Sequence, residues 1–233
     1  MPDPVARYWA VLPAGGSGSR MGAAMPKQYL ELAGLTLLER SVRAVLRAPW
    51  IVQAVVVAAP GDLRAEAVVS SIDRARVINQ GGETRRDSVL AGLRFLLEGC
   101  GADAHDWALV HDAARPGLEI EALERLRAEL LGSDFGGLLA MPVADTVKRV
   151  NPGGNTVAQT IDRQELWLAQ TPQMFRLGPL VAALERHAGV TDEAAAIEAE
   201  GAPVRLVLGG RRNFKITTPD DLEMMRKLLE LDR

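Results

Sequence analysis

Two cations and a cluster of glycines stand together near the start of the chain. The run Pro13-Ala14-Gly15-Gly16-Ser17-Gly18-Ser19-Arg20-Met21-Gly22 is followed by Pro26-Lys27. Glycines let backbone N–H groups approach phosphate oxygens with no side chain in the way. Between Asp3 and Glu31 there is no acidic residue, so Arg20 and Lys27 sit in a stretch free of anions. Pro26 stiffens the backbone just before Lys27. Such a set suits a triphosphate, whose transfer builds charge on phosphate oxygens that fixed cations offset. Two familiar phosphate motifs do not match. Met21 stands where a dinucleotide fingerprint needs Gly or Ala, and Gly22 and Lys27 lack the Gly-Lys-Ser/Thr ending of a P-loop. A tight turn beside two solvated cations is the plainer reading of the same residues.

A second cluster is Leu109-Val110-His111-Asp112-Ala113-Ala114-Arg115-Pro116, a carboxylate just beyond a buried apolar run. Ligands of open α/β sheets bind outside the carboxyl ends of the strands. Asp112 there could hold Mg²⁺, which prefers carboxylate, water and phosphate oxygens, and Arg115 could meet a second phosphate. A helix cap or turn residue is the plainer role for Asp112. His111 reads as a packed strand residue, because neither His105 nor His187 stands at a metal-binding spacing from it.

These residues need elements to position them. Trp9-Ala10-Val11-Leu12 reads as a buried first strand ending at the glycines. Leu37, Leu38, Ser41, Val42, Val45 and Leu46 recur at helical spacing, and Val52 to Ala59 reads as a β-branched strand closed by Pro60-Gly61. Helices are expected over 62–71, 87–98, 119–131, 177–187 and 191–200, with strands over 76–78, 107–111, 137–141 and 204–208. The last helix should start at Thr218, with Pro219 at its first position and Asp221 three residues after the cap. Strands alternating with helices imply an α/β fold, a mostly parallel sheet covered on both faces. The pattern weakens from Pro142 to Gln170, where Asn151-Pro152-Gly153-Gly154-Asn155 marks a hairpin-like turn. An excursion of that length is usually functional or contacts a partner chain.

Composition narrows the classes. A formal net charge of -3 argues against general nucleic-acid binding. Cys100 is the only cysteine, so no internal disulfide forms, which fits a reducing cytoplasm. The apolar run near Ile51 to Pro60 is too short to span a bilayer, and the first residues lack the apolar core of a signal peptide. No repeat or linker divides residues 1–233, so one domain is expected.

Four further segments complete a pattern: Gly81-Gly82-Glu83-Thr84-Arg85-Arg86-Asp87-Ser88-Val89, Asp162-Arg163 with Leu166-Trp167, Thr171-Pro172-Gln173, and Asn213-Phe214-Lys215-Ile216-Thr217. With the glycine loop through Pro26-Lys27-Gln28 and the His-Asp-Ala-Ala-Arg-Pro run, the chain resembles the 2-C-methyl-D-erythritol 4-phosphate cytidylyltransferases of isoprenoid precursor synthesis, from Val11 to Asp221. The resemblance implies a Rossmann-like nucleotidyltransferase sheet of glycosyltransferase-A-like type with a protruding dimerisation arm within about 142–170. It implies transfer of CMP from CTP to the methylerythritol phosphate, with Mg²⁺. It places Ala14, Gly15, Gly16, Gly82, Glu83, Ser88 and Ala113 at CTP, and Asp112 at the metal. Arg20 and Lys27 would stabilise the α-phosphorus. Arg115, Thr146, Arg163, Thr171 and Lys215 would hold the acceptor, with Arg163 and Lys215 aiming its phosphate. Position 83 is Glu where many relatives have Asp. In that family the arm reaches the neighbouring subunit of a homodimer, so Thr146 and Arg163 would serve the partner's site. A ribitol-5-phosphate cytidylyltransferase resembles the chain too, and a silent nucleotide-binding regulator would need the glycines without the cations.

Overall fold

The computed structural model describes residues 6–16 and 25–231. Seven strands build its frame: β1 (Tyr8–Pro13), β4 (Ile51–Val57), β5 (Ala75–Ile78), β6 (Trp107–Val110), β7 (Gly137–Pro142), β10 (Trp167–Arg176) and β11 (Arg205–Leu208). They form one sheet in the order β11-β7-β10-β6-β1-β4-β5. β10 runs antiparallel to both β6 and β7, and the other pairings in the sheet are parallel.

The central strands alternate apolar residues to both faces, so each face needs its own cover. Ala10 and Leu12 of β1 pack with α1 (Leu37–Leu46), α2 (Leu63–Val69) and α4 (Ile120–Leu130). Trp9 and Val11 pack on the other face with α3 (Arg85–Gly99), α5 (Leu177–Arg186) and α6 (Glu193–Ala199). Each fully buried Leu or Val in these layers contributes about 1.5–3 kcal/mol. Helices on both faces are what the alternation led one to expect.

The last helix, α7 (Pro219–Glu230), carries the expected start, with Thr218 and Asp221 forming a reciprocal capping box. α3 begins two residues earlier than its apolar spacing suggests. Thr84 caps it by accepting from the Asp87 N–H, while Asp87 accepts from the Thr84 N–H. That brings Arg85 into the first turn.

Two short pairs lie outside the main sheet. β2 (Glu31–Leu32) and β3 (Leu35–Thr36) form a hairpin that the spacing does not announce. Its turn residues Ala33 and Gly34 have φ of 50° and 82°, the left-handed pair a two-residue hairpin loop requires. β8 (Val147–Val150) and β9 (Val157–Ile161) form the exposed hairpin expected around Asn151 to Asn155. The chain then returns as β10, whose first three residues are exposed and whose next six are buried. The spacing does not reveal this long strand, because Pro172 interrupts its pattern. A proline removes a ladder donor, and the β10–β7 register shifts between Ala169 and Gln173.

Candidate active site

The carboxyl ends of β1 and β6 open on a cavity of about 430 Å³, lined by Pro13 to Gly16, Lys27, Gln28, Gly82 to Arg85, Ser88, Asp112 to Ala114, Lys215 and Thr217. Pro13 to Gly16, the described part of the glycine run, form one wall. Among the described residues, no atom lies within 4 Å of where a Cβ on Gly16 would sit. The Gln28 side chain donates to the Ala14 carbonyl at 2.7 Å and ties the far side of the loop back to the end of β1. Arg20 lies outside the described residues.

Gly81 and Gly82 form the next wall by close approach. A Cβ on Gly81 would meet the Ala58 carbonyl oxygen at 2.8 Å, and one on Gly82 would meet Asp87 Cβ at 2.4 Å. Ser88 is buried, accepts from the Gly82 N–H at 3.1 Å and donates to the Thr84 carbonyl. The turn carrying Glu83 is thus pinned to α3.

Asp112 is the electrostatic centre. Its Oδ1 meets Arg85 Nε at 2.9 Å, and its Oδ2 meets Lys215 Nζ at 2.9 Å and Arg115 Nε at 3.5 Å. Burial alone would raise its pKa, but the three cations outweigh it and hold the carboxyl well below the usual range. Lys27 Nζ donates to the Ile216 carbonyl at 3.1 Å, next to Lys215, so the two lysines converge on one side of the cavity.

Behind Asp112 a hydrogen-bond chain fixes the strand end. The Thr171 hydroxyl accepts from the Asp112 N–H and lies 3.0 Å from His111 Nδ1, while His111 Nε2 lies 3.0 Å from the Arg115 carbonyl. That carbonyl only accepts, so Nε2 carries the proton and Nδ1 accepts from Thr171. Burial lowers the His111 pKa to about 4, so the ring stays neutral. The sequence reading of His111 as a packed strand residue is what the geometry shows. Asn213 donates to the Thr171 carbonyl at 2.7 Å, and the Arg115 guanidinium donates to the Asn213 carbonyl at 2.7 Å.

Of the residues singled out beforehand, Ala14, Gly15, Gly16, Lys27, Gly82, Glu83, Ser88, Asp112, Ala113 and Lys215 line the one cavity. Arg115 and Thr171 stand directly behind Asp112. Thr146 and Arg163 are exposed at the base of the β8–β9 hairpin, outside the cavity of their own chain, and the Arg163 side chain donates to the Ala144 carbonyl. Arg85 and Glu193 were not singled out. The Arg85 guanidinium grips Glu193 with two hydrogen bonds of 2.7 and 3.1 Å.

A family model described as IspD, 2-C-methyl-D-erythritol 4-phosphate cytidylyltransferase, matches residues 8–230. The chain belongs to this family. Among its relatives, the 2-C-methyl-D-erythritol 4-phosphate cytidylyltransferase of Laribacter hongkongensis is 50% identical over 231 residues, covering 98% of each chain. That of Bordetella parapertussis is 51% identical over 228 residues, covering 94% of this chain and 97% of the relative. A solved 4-diphosphocytidyl-2C-methyl-D-erythritol synthase superposes with a TM-score of 0.86 at 40% identity, covering 97% of this chain and all of that one. The family enzyme of Thermus thermophilus superposes with a TM-score of 0.77 at 29% identity, covering 96% and 99%. The nucleotidyltransferase-type sheet of this cytidylyltransferase family is therefore the fold of the chain. No described helix is long and apolar enough to cross a membrane.

Proposed function

We propose that the chain moves CMP from CTP onto 2-C-methyl-D-erythritol 4-phosphate, giving 4-diphosphocytidyl-2-C-methyl-D-erythritol and pyrophosphate. Family membership supports the reaction. The observation that carries it to individual residues is the convergence of Lys27, Lys215 and Asp112 on one glycine-lined cavity.

The acceptor phosphate is ionised near neutral pH, so its attacking oxygen needs no general base. That oxygen forms a bond to the α-phosphorus, and the bond to the β-phosphate oxygen breaks with its electron pair leaving on pyrophosphate. Positioning and charge dominate such transfers. In this reading Lys27 and Arg20 offset charge at the α-phosphorus, and Lys215 draws the acceptor phosphate toward it. Gly82, Glu83 and Ser88 face the cytidine, and Ala14 to Gly16 the phosphates.

Asp112 is a carboxylate in a cavity suited to phosphates, a donor set that fits Mg²⁺ held by one carboxylate and the nucleotide itself. Bound there, the ion would neutralise triphosphate charge. No group of three or more His, Cys, Asp or Glu that could hold a metal by themselves occurs among the described residues, in keeping with a metal that arrives with its nucleotide.

The exposed hairpin carrying Thr146 and Arg163 is read as an arm completing a second subunit's cavity in a homodimer. A sizing measurement tests it, and a monomer at working concentration removes both residues from the site. The free thiol of Cys100 supports a cytoplasmic location.

The deciding assay incubates the chain with CTP, Mg²⁺ and either methylerythritol phosphate or ribitol 5-phosphate, and follows pyrophosphate and the cytidine product. Turnover with methylerythritol phosphate is expected. Turnover confined to ribitol 5-phosphate overturns the acceptor, and CTP binding without pyrophosphate release makes the chain a regulator.

A further inference from the structure

Glu193 is wholly buried, an unusual place for a carboxylate unless it is paired. It is set there by β10. The Gln173 side chain donates to Asp192 Oδ2 at 2.9 Å and accepts from the Ala194 N–H at 2.8 Å, clamping the residues on either side of Glu193. Arg85, held in the first turn of α3, spans from Glu193 to Asp112. Its two terminal nitrogens take the Glu193 oxygens, and its Nε takes Asp112 Oδ1 at 2.9 Å. One planar guanidinium thus joins two carboxylates, which a lysine ammonium cannot do in the same geometry.

We infer that Arg85, fixed by Glu193, is a positioning residue for Asp112. The pair orients the strand-end carboxylate and keeps the guanidinium from acting as a loose cation in the cavity. Burial raises the Glu193 pKa while Arg85 opposes it, and the opposite charge beside it is what makes the buried carboxylate tolerable. With Glu193 neutral, Arg85 would still attract triphosphate but would no longer hold Asp112 in register. Ground-state binding of CTP would then persist while the chemical step slows, since binding that is equal in both states does not accelerate it. This rests on the proposed cytidylyl transfer.

The test compares wild type, Glu193→Gln, Arg85→Lys and the double variant Arg85→Gln with Glu193→Gln, recording kcat, KM for CTP and melting temperature. Glu193→Gln and Arg85→Lys should each lower kcat about tenfold to a hundredfold, as loss of outer partners of a functional group typically does, with KM for CTP unchanged or lower. The double variant leaves no unpaired charge inside, so its melting temperature should recover toward wild type while kcat stays low. If kcat recovers together with the melting temperature, or if Arg85→Lys turns over like wild type, the pair is only structural and the inference falls. Should Glu193→Gln fail to fold, the other two variants still decide. A wild-type chain inactive toward CTP and methylerythritol phosphate would sink the proposed reaction instead.

Discussion

Lys215 Nζ stands 2.9 Å from Asp112 Oδ2, joining the segment before α7 to the end of β6. Ile216, the next residue, donates its N–H to the Ala114 carbonyl at 2.9 Å, so the ammonium is presented from a backbone stitched to the same strand end. Lys215→Ala should therefore leave the fold intact and damage the use of the acceptor. A drop in kcat/KM for methylerythritol phosphate on the order of a hundredfold is expected, the scale of losing one oriented charge donor. Unchanged acceptor kinetics would remove Lys215 from the mechanism.

Lys27 reaches the cavity beside Lys215, donating to the Ile216 carbonyl. Lys27→Ala should lower kcat by roughly 10²–10³, read as the rate of pyrophosphate release at saturating CTP. Turnover close to wild type would refute its role at the α-phosphorus.

Gly92 lets α3 sit directly on the sheet. A Cβ there would fall 2.6 Å from Val11 Cγ1 and 2.8 Å from Val57 Cγ2. Both neighbours are β-branched and fully buried, with little freedom to turn aside. Gly92→Ala should destabilise the protein by about 1–3 kcal/mol, the usual cost of overpacking. A urea midpoint at or above that of wild type would contradict this packing.

Asp106 gives the fold a defined acid limb. Its carboxylate accepts N–H bonds from Arg7, Asp103 and Trp9, each at 2.9 Å, and meets the Arg7 guanidinium at 3.0 Å. Burial works to raise its pKa, but these donors outweigh it and the folded value lies below the ordinary one. The unfolded chain then takes up the proton first. The stability this carboxylate supplies is complete above about pH 4, the unfolded value, and is lost as pH falls through the lower folded value. Asp106→Asn should be less stable at neutral pH, with the gap to wild type narrowing below pH 4. Denaturation curves offset equally at pH 7 and pH 3 would show that the charge plays no part.

Much of the scaffold was legible because its signals are local. Trp9 to Leu12 and the Leu37 to Leu46 spacing declare a strand and a helix without reference to the rest of the chain, and Thr218-Pro219-Asp221 marks a helix start by its own chemistry. β10 was not legible, since Pro172 and Gln173 break its apolar run and its burial depends on the neighbours β6 and β7. The β2–β3 turn uses Ala33-Gly34 where Asn-Gly would have signalled it. At the site, Asp112 stood out by its place just beyond a buried strand, and Lys215 by the family pattern. Arg85 and Glu193 did not, because a charged residue in each of two helices looks like ordinary solvated surface until tertiary packing buries one against the other.

The ten residues of β10, from exposed Trp167 to Arg176, extend roughly 33 Å at strand rise, and Gln173 lies beside Val110 along the way. One strand therefore leads from an exposed start to Thr171 and Gln173 behind Asp112, with its register against β7 shifting between Ala169 and Gln173. The exposed end that follows the hairpin and the hydroxyl that holds the Asp112 N–H thus belong to the same strand.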